Sequence, residues 1–484
     1  MKIKARKYAY LWMLGVLVAL GLAFMIPSLH RHDDTLIFAP YLQVGAQPAA
    51  GKLDLCWQAK DASGWALEYR TGESSNWNKA DLLPTHPIRL SRQETRYVLT
   101  AAMNGLVPGT TFNYRLFHLG SEVFQSEGRA PQSGARRTRF VAMGDIGAGS
   151  HEARLIAGLA YQQKPDYVVI PGDIVYDQGL VSDYDRNFWP VYDADKLDSN
   201  GAPLMRSVTF IAAPGNHDTE GKDLGLHPDA LAYFYYWDQP LNGPGKKEGA
   251  PAFPDVHIPD SLRSAFSAGT GDRYPVMANF SFDQGNVHWL FLDANPYVDW
   301  TDAGMREWVR RDLKGSKATW KFVLFHHPGF NSSRAHYEQQ QMRTLSPIFD
   351  SVGVDIVFTG HVHNYQRSHP LSFVPEDEGM TLTDGGANTR TRGRVINGFW
   401  TLDKSFDGIK NTHPQGVIYL VTGAGGQDLY DPEQENAPDT WQKFTKVFHS
   451  TTHSISVVDI EGGKLSLKQI DLNGRTVDAF RIEK

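Results

Sequence analysis

Two histidines one residue apart, His361 and His363, are the residues of this chain with the clearest chemical potential. They follow Gly360 and a strand-like apolar run from Val354 to Phe358. In extended backbone, side chains two residues apart lie on the same face, so both imidazoles would be directed at one place. Because imidazole is the commonest metal-ligating side chain, the pair predicts a metal site just after this strand.

Four further fragments carry oxygen and nitrogen ligands that suit the same kind of site. In chain order they are Gly144-Asp145-Ile146-Gly147, Gly172-Asp173-Ile174-Val175-Tyr176, Gly215-Asn216-His217-Asp218 and Val323-Leu324-Phe325-His326. Such ligands, without a thiolate, favour iron, zinc or manganese. Ordinary turns explain any one fragment, since Asp, Asn and Gly are common in turns, but they do not explain the histidines.

The elements that must position these residues are short buried strands. The fragments follow mostly apolar runs, namely Arg139 to Met143, Tyr167 to Ile170, Val208 to Ile211 and Lys321 to Phe325. Such runs are typical of strands buried on both faces, and open α/β sheets place ligands at the carboxyl ends of strands. Ser150 is expected to cap a helix through Tyr161 whose inner face carries Leu155, Ile156 and Leu159.

Taken in order, the five fragments resemble the GDxG, GDxxY, GNH[DE], VxxH and GHxH motifs of the calcineurin-like metallophosphoesterases. The position of Tyr176 is similar to that of the purple acid phosphatases within that superfamily. The resemblance implies two metal ions bridged by Asp173. Fe(III) would be held by Asp145, Asp173, Tyr176 and His363, and Zn, Mn or Fe(II) by Asp173, Asn216, His326 and His361.

The same resemblance implies an acid phosphatase that hydrolyses phosphomonoesters of small molecules by in-line attack of a metal-bound hydroxide. His217 and His336 are the expected catalytic histidines, which would donate a proton or contact the phosphate. The family often carries paired histidines where this chain has only His336, which leaves a phosphodiesterase or nucleotide pyrophosphatase with the same metals as the alternative. A non-catalytic binding protein is disfavoured because every ligand position is filled.

Two residues near the motifs have weaker interpretations. His327 directly follows His326, and a structural role is expected for it. Asp293 ends another strand-like run, where it would either support a ligand or serve as a turn residue.

Composition sets limits on the rest of the chain. Its 484 residues are enough for two or three domains, and 48 basic against 54 acidic residues give a net charge of −6. Without a long basic run beyond the N-terminus, a standing nucleic-acid partner is disfavoured. Cys56 is the only cysteine, so no intramolecular disulfide can form, and a buried, inert thiol is expected.

Residues 1–30 have the pattern of a signal peptide or signal anchor. Four basic residues precede an uncharged run from Ala9 to Ile26, which is 18 residues long and therefore favours a retained transmembrane anchor over a cleaved signal. Either outcome implies export. Export without disulfides favours a periplasmic or cell-surface location over a cysteine-rich extracellular module.

Two domains are expected after this segment. Residues 37–130 show short alternating runs typical of an all-β sandwich, and Leu106 to Arg115 is similar to a turn of fibronectin-III-like domains, which larger purple acid phosphatases carry in front. Residues 136–484 would form the catalytic domain, an αββα arrangement with two mixed sheets. The long segment 221–271 would either pack against the domain or wall the substrate cleft. Both it and a second long segment, 376–414, are candidates for setting specificity.

Overall fold

The computed structural model describes residues 35–72, 74–89, 95–244, 256–376 and 395–484. The predicted signal or anchor therefore lies outside the described residues. Across these ranges, no helix combines the length and the apolar character needed to cross a membrane.

The N-terminal strands form two antiparallel sheets. The described strands are β1 Leu36–Gln43, β2 Leu53–Ala59, β3 Trp65–Thr71, β4 Asn78–Lys79, β5 Asp81–Leu82, β6 His86–Ile88, β7 Arg96–Met103, β8 Thr111–His118 and β9 Ser121–Arg129. One sheet has the order β1-β2-β7-β5, with β6 also on β7, and the other has the order β4-β3-β8-β9. Trp57 of the first sheet and Trp65 and Tyr114 of the second belong to one hydrophobic cluster.

Two larger sheets follow, and both are mixed, as the sequence predicted. The six-stranded sheet has the order β14-β11-β10-β24-β25-β26 and the seven-stranded sheet the order β15-β16-β17-β18-β22-β19-β23. Their strands are β10 Thr138–Ala142, β11 Tyr167–Pro171, β14 Thr209–Ala213, β15 Phe280–Gln284, β16 Val287–Phe291, β17 Trp320–Leu324, β18 Ile356–Thr359, β19 Tyr365–Ser368, β22 Ile418–Thr422, β23 Thr445–His449, β24 Ser454–Glu461, β25 Lys464–Asp471 and β26 Thr476–Glu483. Two small hairpins add β12 Asp193–Asp198 with β13 Gly201–Pro203, and β20 Leu371–Pro375 with β21 Gly398–Leu402.

The strands that precede the predicted ligands are neighbours within these sheets. Strands β10, β11 and β14 run parallel, and so do β17 and β18. An aromatic cluster joins the two sheets, because the ring of Phe140 lies 5.2 Å from Trp289 and 5.8 Å from Phe358. This packing fixes the carboxyl ends of both strand sets relative to each other.

The helices are short and lie between the strands. They are α1 His151–Gln162, α2 Val181–Asp183, α3 Trp189–Tyr192, α4 Tyr233–Tyr236, α5 Asp260–Thr270, α6 Ala303–Gly315 and α7 Ser346–Ser351, with a π-helix at Tyr184–Phe188 and 3-10 turns at His217–Thr219, Val276–Ala278, Gln341–Leu345, Pro432–Gln434 and Pro438–Thr440. The Ser150 hydroxyl caps α1 by accepting a hydrogen bond from Ala153 N at 3.0 Å, as predicted. The expected inner face was wrong at Leu155, which is exposed, because Ala153, Ala157 and Ala160 face the core instead.

The described parts of the long segment 221–271 lie in two different surroundings. The aromatic run from Tyr233 to Trp237 is buried in the core. Lys222, in contrast, lines a cavity next to the predicted ligands. The segment 376–414 is described only in part, since residues 377–394 are outside the described ranges.

Candidate metal centre

Each predicted ligand lies in a loop directly after a strand. Asp145, Asp173 and His361 all have positive φ angles, of 60°, 51° and 67°. Left-handed backbone is uncommon for residues with a Cβ and persists where surrounding contacts hold it. Here the contacts are close: a Cβ at Gly360 or at Gly423 would lie 2.6 Å from Asp145 Oδ2, so these positions require glycine.

The ligands predicted for the second metal converge on His326 Nε2. This atom lies 3.3 Å from Asp173 Oδ1, 3.1 Å from Asn216 Oδ1 and 3.2 Å from His361 Nδ1. Asp173, His326 and His361 are buried, and one potential ligand atom of each lies within 4.8 Å of the others.

Hydrogen bonds to oxygen atoms fix how the imidazoles face this cluster. His326 Nδ1 donates to the carbonyl oxygen of Pro171 at 2.7 Å, and His361 Nε2 donates to Gln339 Oε1 at 2.6 Å. The other ring nitrogen of each therefore faces the cluster, where the Asp173 carboxylate also lies and where that nitrogen can bind a metal once it carries no proton. Imidazole nitrogens and a carboxylate that face one another form a set of ligands suited to a cation.

The ligands predicted for the first metal form a second group beside the first. Tyr176 Oη lies 3.2 Å from Asp145 Oδ1 and 3.4 Å from His363 Nε2, which is 3.6 Å from the same Asp145 oxygen. His363 Nδ1 donates to the carbonyl oxygen of Asp428 at 2.8 Å, so its Nε2 lone pair faces the group. After burial, the charge of Asp173 is the largest influence on the pKa of the Tyr176 phenol, which it raises, so Asp173 lies close to both groups.

Burial and charge coupling shift the ionisation of these residues strongly. Burial raises the pKa of Asp145 and lowers that of His363 to about 4. Burial alone would raise the pKa of Asp173 and lower that of His326, but their mutual attraction reverses both shifts, so that of Asp173 falls and that of His326 rises to about 9. A metal ion that binds here competes with a proton on His326.

Tyr176 is also held in its neutral form by the protein alone. Burial, together with the charges of Asp173 and Asp145, raises the pKa of its phenol well above the ordinary value. Ionisation to phenolate therefore requires a strong positive charge nearby.

The two predicted catalytic histidines lie beside the ligands. His217 is half-buried, its Nδ1 donates to the carbonyl oxygen of Asp177 at 2.8 Å, and its ring lies 4.5 Å from that of Tyr176. The ring of His336 lies 4.1 Å from that of His361. The structure thus brings all nine predicted site residues together.

Four of these residues line a central cavity of about 760 Å³, namely Asn216, His217, His336 and His361. Its lining includes His217, His336, His361, Asn216, His327, Gln339, Lys222, Asn295 and Tyr297. The volume lies within the range of small-molecule sites. His327 was assigned a structural role from sequence; it is buried, and its ring lies 4.2 Å from that of His361 at the cavity wall.

Sequence reasoning missed several residues that hold the ligands. The buried carboxylate of Asp218 accepts hydrogen bonds from Gly215 N at 2.7 Å, Ile174 N at 3.2 Å and Val175 N at 3.3 Å, so it ties two ligand loops together. Its signal was present, since it is the fourth residue of the GNHD fragment. Gln339, by contrast, lies in no motif.

Two further supports lie at the edge of the centre. The ring of Tyr430 stacks on His363 with centroids 4.1 Å apart. The buried carboxylate of Asp293 accepts from Asn295 Nδ2 at 2.8 Å, and that amide also donates to the carbonyl oxygen of Gly215. Of the two roles considered for Asp293, this network favours support of a ligand loop over a simple turn.

Comparisons with known proteins agree with this arrangement. Residues 138–365 match the family described as calcineurin-like phosphoesterase. Purple acid phosphatase 23 of Arabidopsis thaliana is 25% identical over 313 residues, which are 59% of this chain and 61% of that protein. Purple acid phosphatase 15 of the same plant is 35% identical over 296 residues, or 55% and 48%.

A broader match is an uncharacterized protein of Mycobacterium tuberculosis, 24% identical over 415 residues that cover 80% of this chain and 69% of that protein. The chain covers less than two thirds of the length of the first plant relatives it matches, 61% and 43%.

Solved structures show the same fold at low identity. A purple acid phosphatase from yellow lupin (Lupinus luteus) seeds has a TM-score of 0.61 at 17% identity and covers 92% of this chain and 74% of its own. PhoD has a TM-score of 0.53 at 11% identity and covers 92% of both chains. Residues 138–365 therefore match a calcineurin-like phosphoesterase domain, and purple acid phosphatases are among the proteins to which the chain is similar.

Proposed function

We propose that this protein is a phosphoester hydrolase of the acid phosphatase type, which acts on phosphomonoesters with two metal ions. The observation that carries the proposal is the pair of ligand groups that share Asp173. One group contains only oxygen and imidazole donors around His326 Nε2, and the other adds the phenol of Tyr176.

The metal assignments rest on the chemistry of these donors. Asp145, Asp173, Tyr176 and His363 would hold Fe(III), because a trivalent ion supplies the positive charge that a buried phenol needs to ionise. Zn, Mn or Fe(II) would be held by Asp173, Asn216, His326 and His361. When bound, such a pair of ions activates water and neutralises charge on a phosphoryl group.

The remaining chemistry belongs to side chains of the cavity. Hydrolysis breaks the ester P–O bond, forms a new P–O bond to a water oxygen and requires a proton on the leaving oxygen. His217 is suited to give that proton, because its Nδ1 is engaged by Asp177 and its Nε2 remains for the substrate. His336, close to His361, would hold a phosphate oxygen.

The domain assignments and the location are part of the same proposal. Residues 37–130 would form a fibronectin-III-like sandwich from the two N-terminal sheets, which share one hydrophobic cluster. Residues 136–484 would form the αββα catalytic domain. The protein would be exported to the periplasm or the cell exterior, with residues 1–30 as a signal peptide or a membrane anchor.

A specific observation favours phosphodiesters as the second candidate. The central cavity shares His336 and Gln339 with a second cavity of about 740 Å³. It shares Gln178, Glu220 and Lys222 with a third cavity of about 610 Å³. A phosphodiester has a substituent on each side of phosphorus, so a groove that continues in both directions would accommodate it.

The deciding experiment measures turnover of p-nitrophenyl phosphate and bis-p-nitrophenyl phosphate by the purified protein from acid to alkaline pH, with its bound metals counted. Faster monoester turnover at acid pH, with iron bound, is the expected result. Diester preference would favour the second candidate. Absence of turnover of both esters by protein loaded with two metals would overturn the phosphoesterase proposal.

A further inference from the structure

Lys222 lines the central cavity, and none of the roles predicted from the sequence uses its positive charge. Among the described residues that line the cavity, it is the only lysine or arginine, and the histidines of the lining lie around the ligands. It belongs to the segment 221–271, whose aromatic run from Tyr233 to Trp237 is buried in the core and does not line this cavity. Its ammonium group is therefore available to whatever occupies the cavity.

No carboxylate of the described part of the chain lies within salt-bridge distance of Lys222 Nζ. Its recorded side-chain contact is with the ring of Tyr297, whose centroid is 5.4 Å away. That ring is fixed in turn, because Tyr297 Oη donates to the buried Asp293 carboxylate at 2.6 Å. Burial raises the pKa of Asp293 to about 6 and the nearby Lys222 charge opposes that shift, but the two groups form no salt bridge. The aromatic face of Tyr297 holds the ammonium in position.

The acidic residues that line the cavity do not neutralise Lys222. Asp177 and Glu220 line it as well, but both are exposed to solvent, where water screens their charge. The cavity is thus not broadly cationic, and attraction for an anion is confined to the region of Lys222.

Lys222 also marks the point where the cavity continues. The third cavity, of about 610 Å³, begins at Gln178, Glu220 and Lys222 and extends to Leu226 and His257. The ligand groups and the two catalytic histidines already account for the reacting phosphoryl group. A substrate that fills the space up to Lys222 must therefore carry a substituent beyond that group.

We propose that Lys222 forms a subsite for a second anionic group of the substrate, a phosphoryl or a carboxylate, beside the phosphoryl group that reacts. This inference rests on the proposed phosphoesterase function and specifies its substrate class: phosphate esters that carry two anions. The ammonium would donate a charge-assisted hydrogen bond to the second anion, and Tyr297 would keep it in place.

The test compares substrates that share a skeleton and differ in one anion. 3-Phosphoglycerate carries a carboxylate that glycerol 1-phosphate lacks. Glucose 1,6-bisphosphate carries a second phosphoryl group that glucose 1-phosphate lacks. For each pair, the selectivity is the kcat/KM of the substrate with two anionic groups divided by the kcat/KM of its partner with one. The wild-type protein is expected to prefer the substrate with two anions in at least one pair, and the pair identifies the source of the anion.

Lys222→Gln is expected to reduce that selectivity about tenfold or more, the range of a hydrogen bond to a charged group. Lys222→Arg should retain most of it, since the positive charge stays. Lys468→Gln removes the same charge from an exposed position on β25 and should leave the selectivity at the wild-type value.

The outcomes separate this inference from the proposed function. Equal selectivity in the wild-type protein and in Lys222→Gln, with p-nitrophenyl phosphate hydrolysed by both, would overturn the subsite and leave the phosphoesterase intact. An equal loss in Lys222→Gln and Lys468→Gln would also overturn it, because the effect would then follow net charge. Absence of turnover with every ester would refute the proposed function itself.

Discussion

Replacing Asp218 with asparagine is expected to weaken the connection between two ligand loops. The Asp218 carboxylate is fully buried and joins the loop after β14, through Gly215 N, to the loop after β11, through Ile174 N and Val175 N. Asparagine has the same shape, so the change tests the hydrogen bonds rather than the packing.

The magnitude follows from the individual contacts. The side-chain oxygen of asparagine can keep the amides of Ile174 and Val175, but its NH₂ group would then face the Gly215 amide, which loses its acceptor at 2.7 Å. Burial raises the pKa of Asp218 to about 7, so this carboxyl is only partly ionised near neutral pH and the hydrogen bond it loses is worth about 0.5–1.5 kcal/mol. A buried donor without a partner costs about 1–3 kcal/mol. Because the two terms overlap, we expect a loss of about 2 kcal/mol in the free energy of unfolding.

Thermal denaturation of the purified protein measures this loss. About 2 kcal/mol corresponds to a decrease in Tm of roughly 3 °C for a domain the size of residues 136–484, because the entropy of unfolding grows with chain length. Metal affinity should fall as well, since Asn216 and Asp173 lie in the two loops. Asp439→Asn, at an exposed aspartate, is the matched control. A change in Tm no larger than that of the control, with metal affinity retained, would refute the reasoning.

Three further predictions concern other parts of the chain. Burial, reinforced by the charge of Asp238, raises the pKa of Asp54 to about 7, so the folded state holds that proton more tightly than the unfolded chain does. This contribution to stability is complete below about pH 4 and is lost as the pH rises through 7, a change of roughly 2–4 kcal/mol; urea unfolding of Asp54→Asn should show a smaller decrease between pH 5 and pH 8 than the wild type. Gln339→Leu removes the acceptor of His361 Nε2 and should weaken metal affinity about 10–100-fold in a chelator titration, whereas unchanged affinity would contradict the tautomer assignment. Trp289→Ala, in the aromatic cluster between the mixed sheets, should cost about 3–5 kcal/mol in urea unfolding, and a cost below about 1 kcal/mol would contradict the packing described.

The strands that precede the site residues were predictable because their own sequences indicate that they are buried. Runs such as Tyr167 to Ile170 are apolar on both faces, and a polar ligand follows each of them directly. The α1 cap was predictable for a similar reason, since the Ser150 side chain reaches its partner within three residues.

The face of α1 could not be predicted from hydrophobicity. Leucine is more apolar than alanine, so Leu155 was assigned to the core. In the structure, Ala153, Ala157 and Ala160 are buried there, and Leu155 is exposed. Small side chains permit close approach of the helix, a requirement that depends on neighbours distant in sequence: a Cβ at Gly426 would lie 2.6 Å from Ala153 Cα.

The same limit applies to the metal centre. The motifs identify ligands because each is a local fragment with a characteristic spacing. The groups that orient the ligands are distant in sequence or are backbone atoms, such as the Pro171 and Asp428 carbonyl oxygens that accept from His326 and His363. A carbonyl oxygen has no sequence signature, and Tyr430, which stacks on His363, follows it only after four further strands.

The central claim is that two metal ions share Asp173 and that turnover depends on them. The most direct test counts the metal ions bound per chain by mass spectrometry, in the wild-type protein and in Asp173→Ala, beside turnover of p-nitrophenyl phosphate by the same samples. The account predicts two ions per wild-type chain and the loss of both bound metal and turnover in the variant. Two bound ions and retained turnover in Asp173→Ala would contradict it.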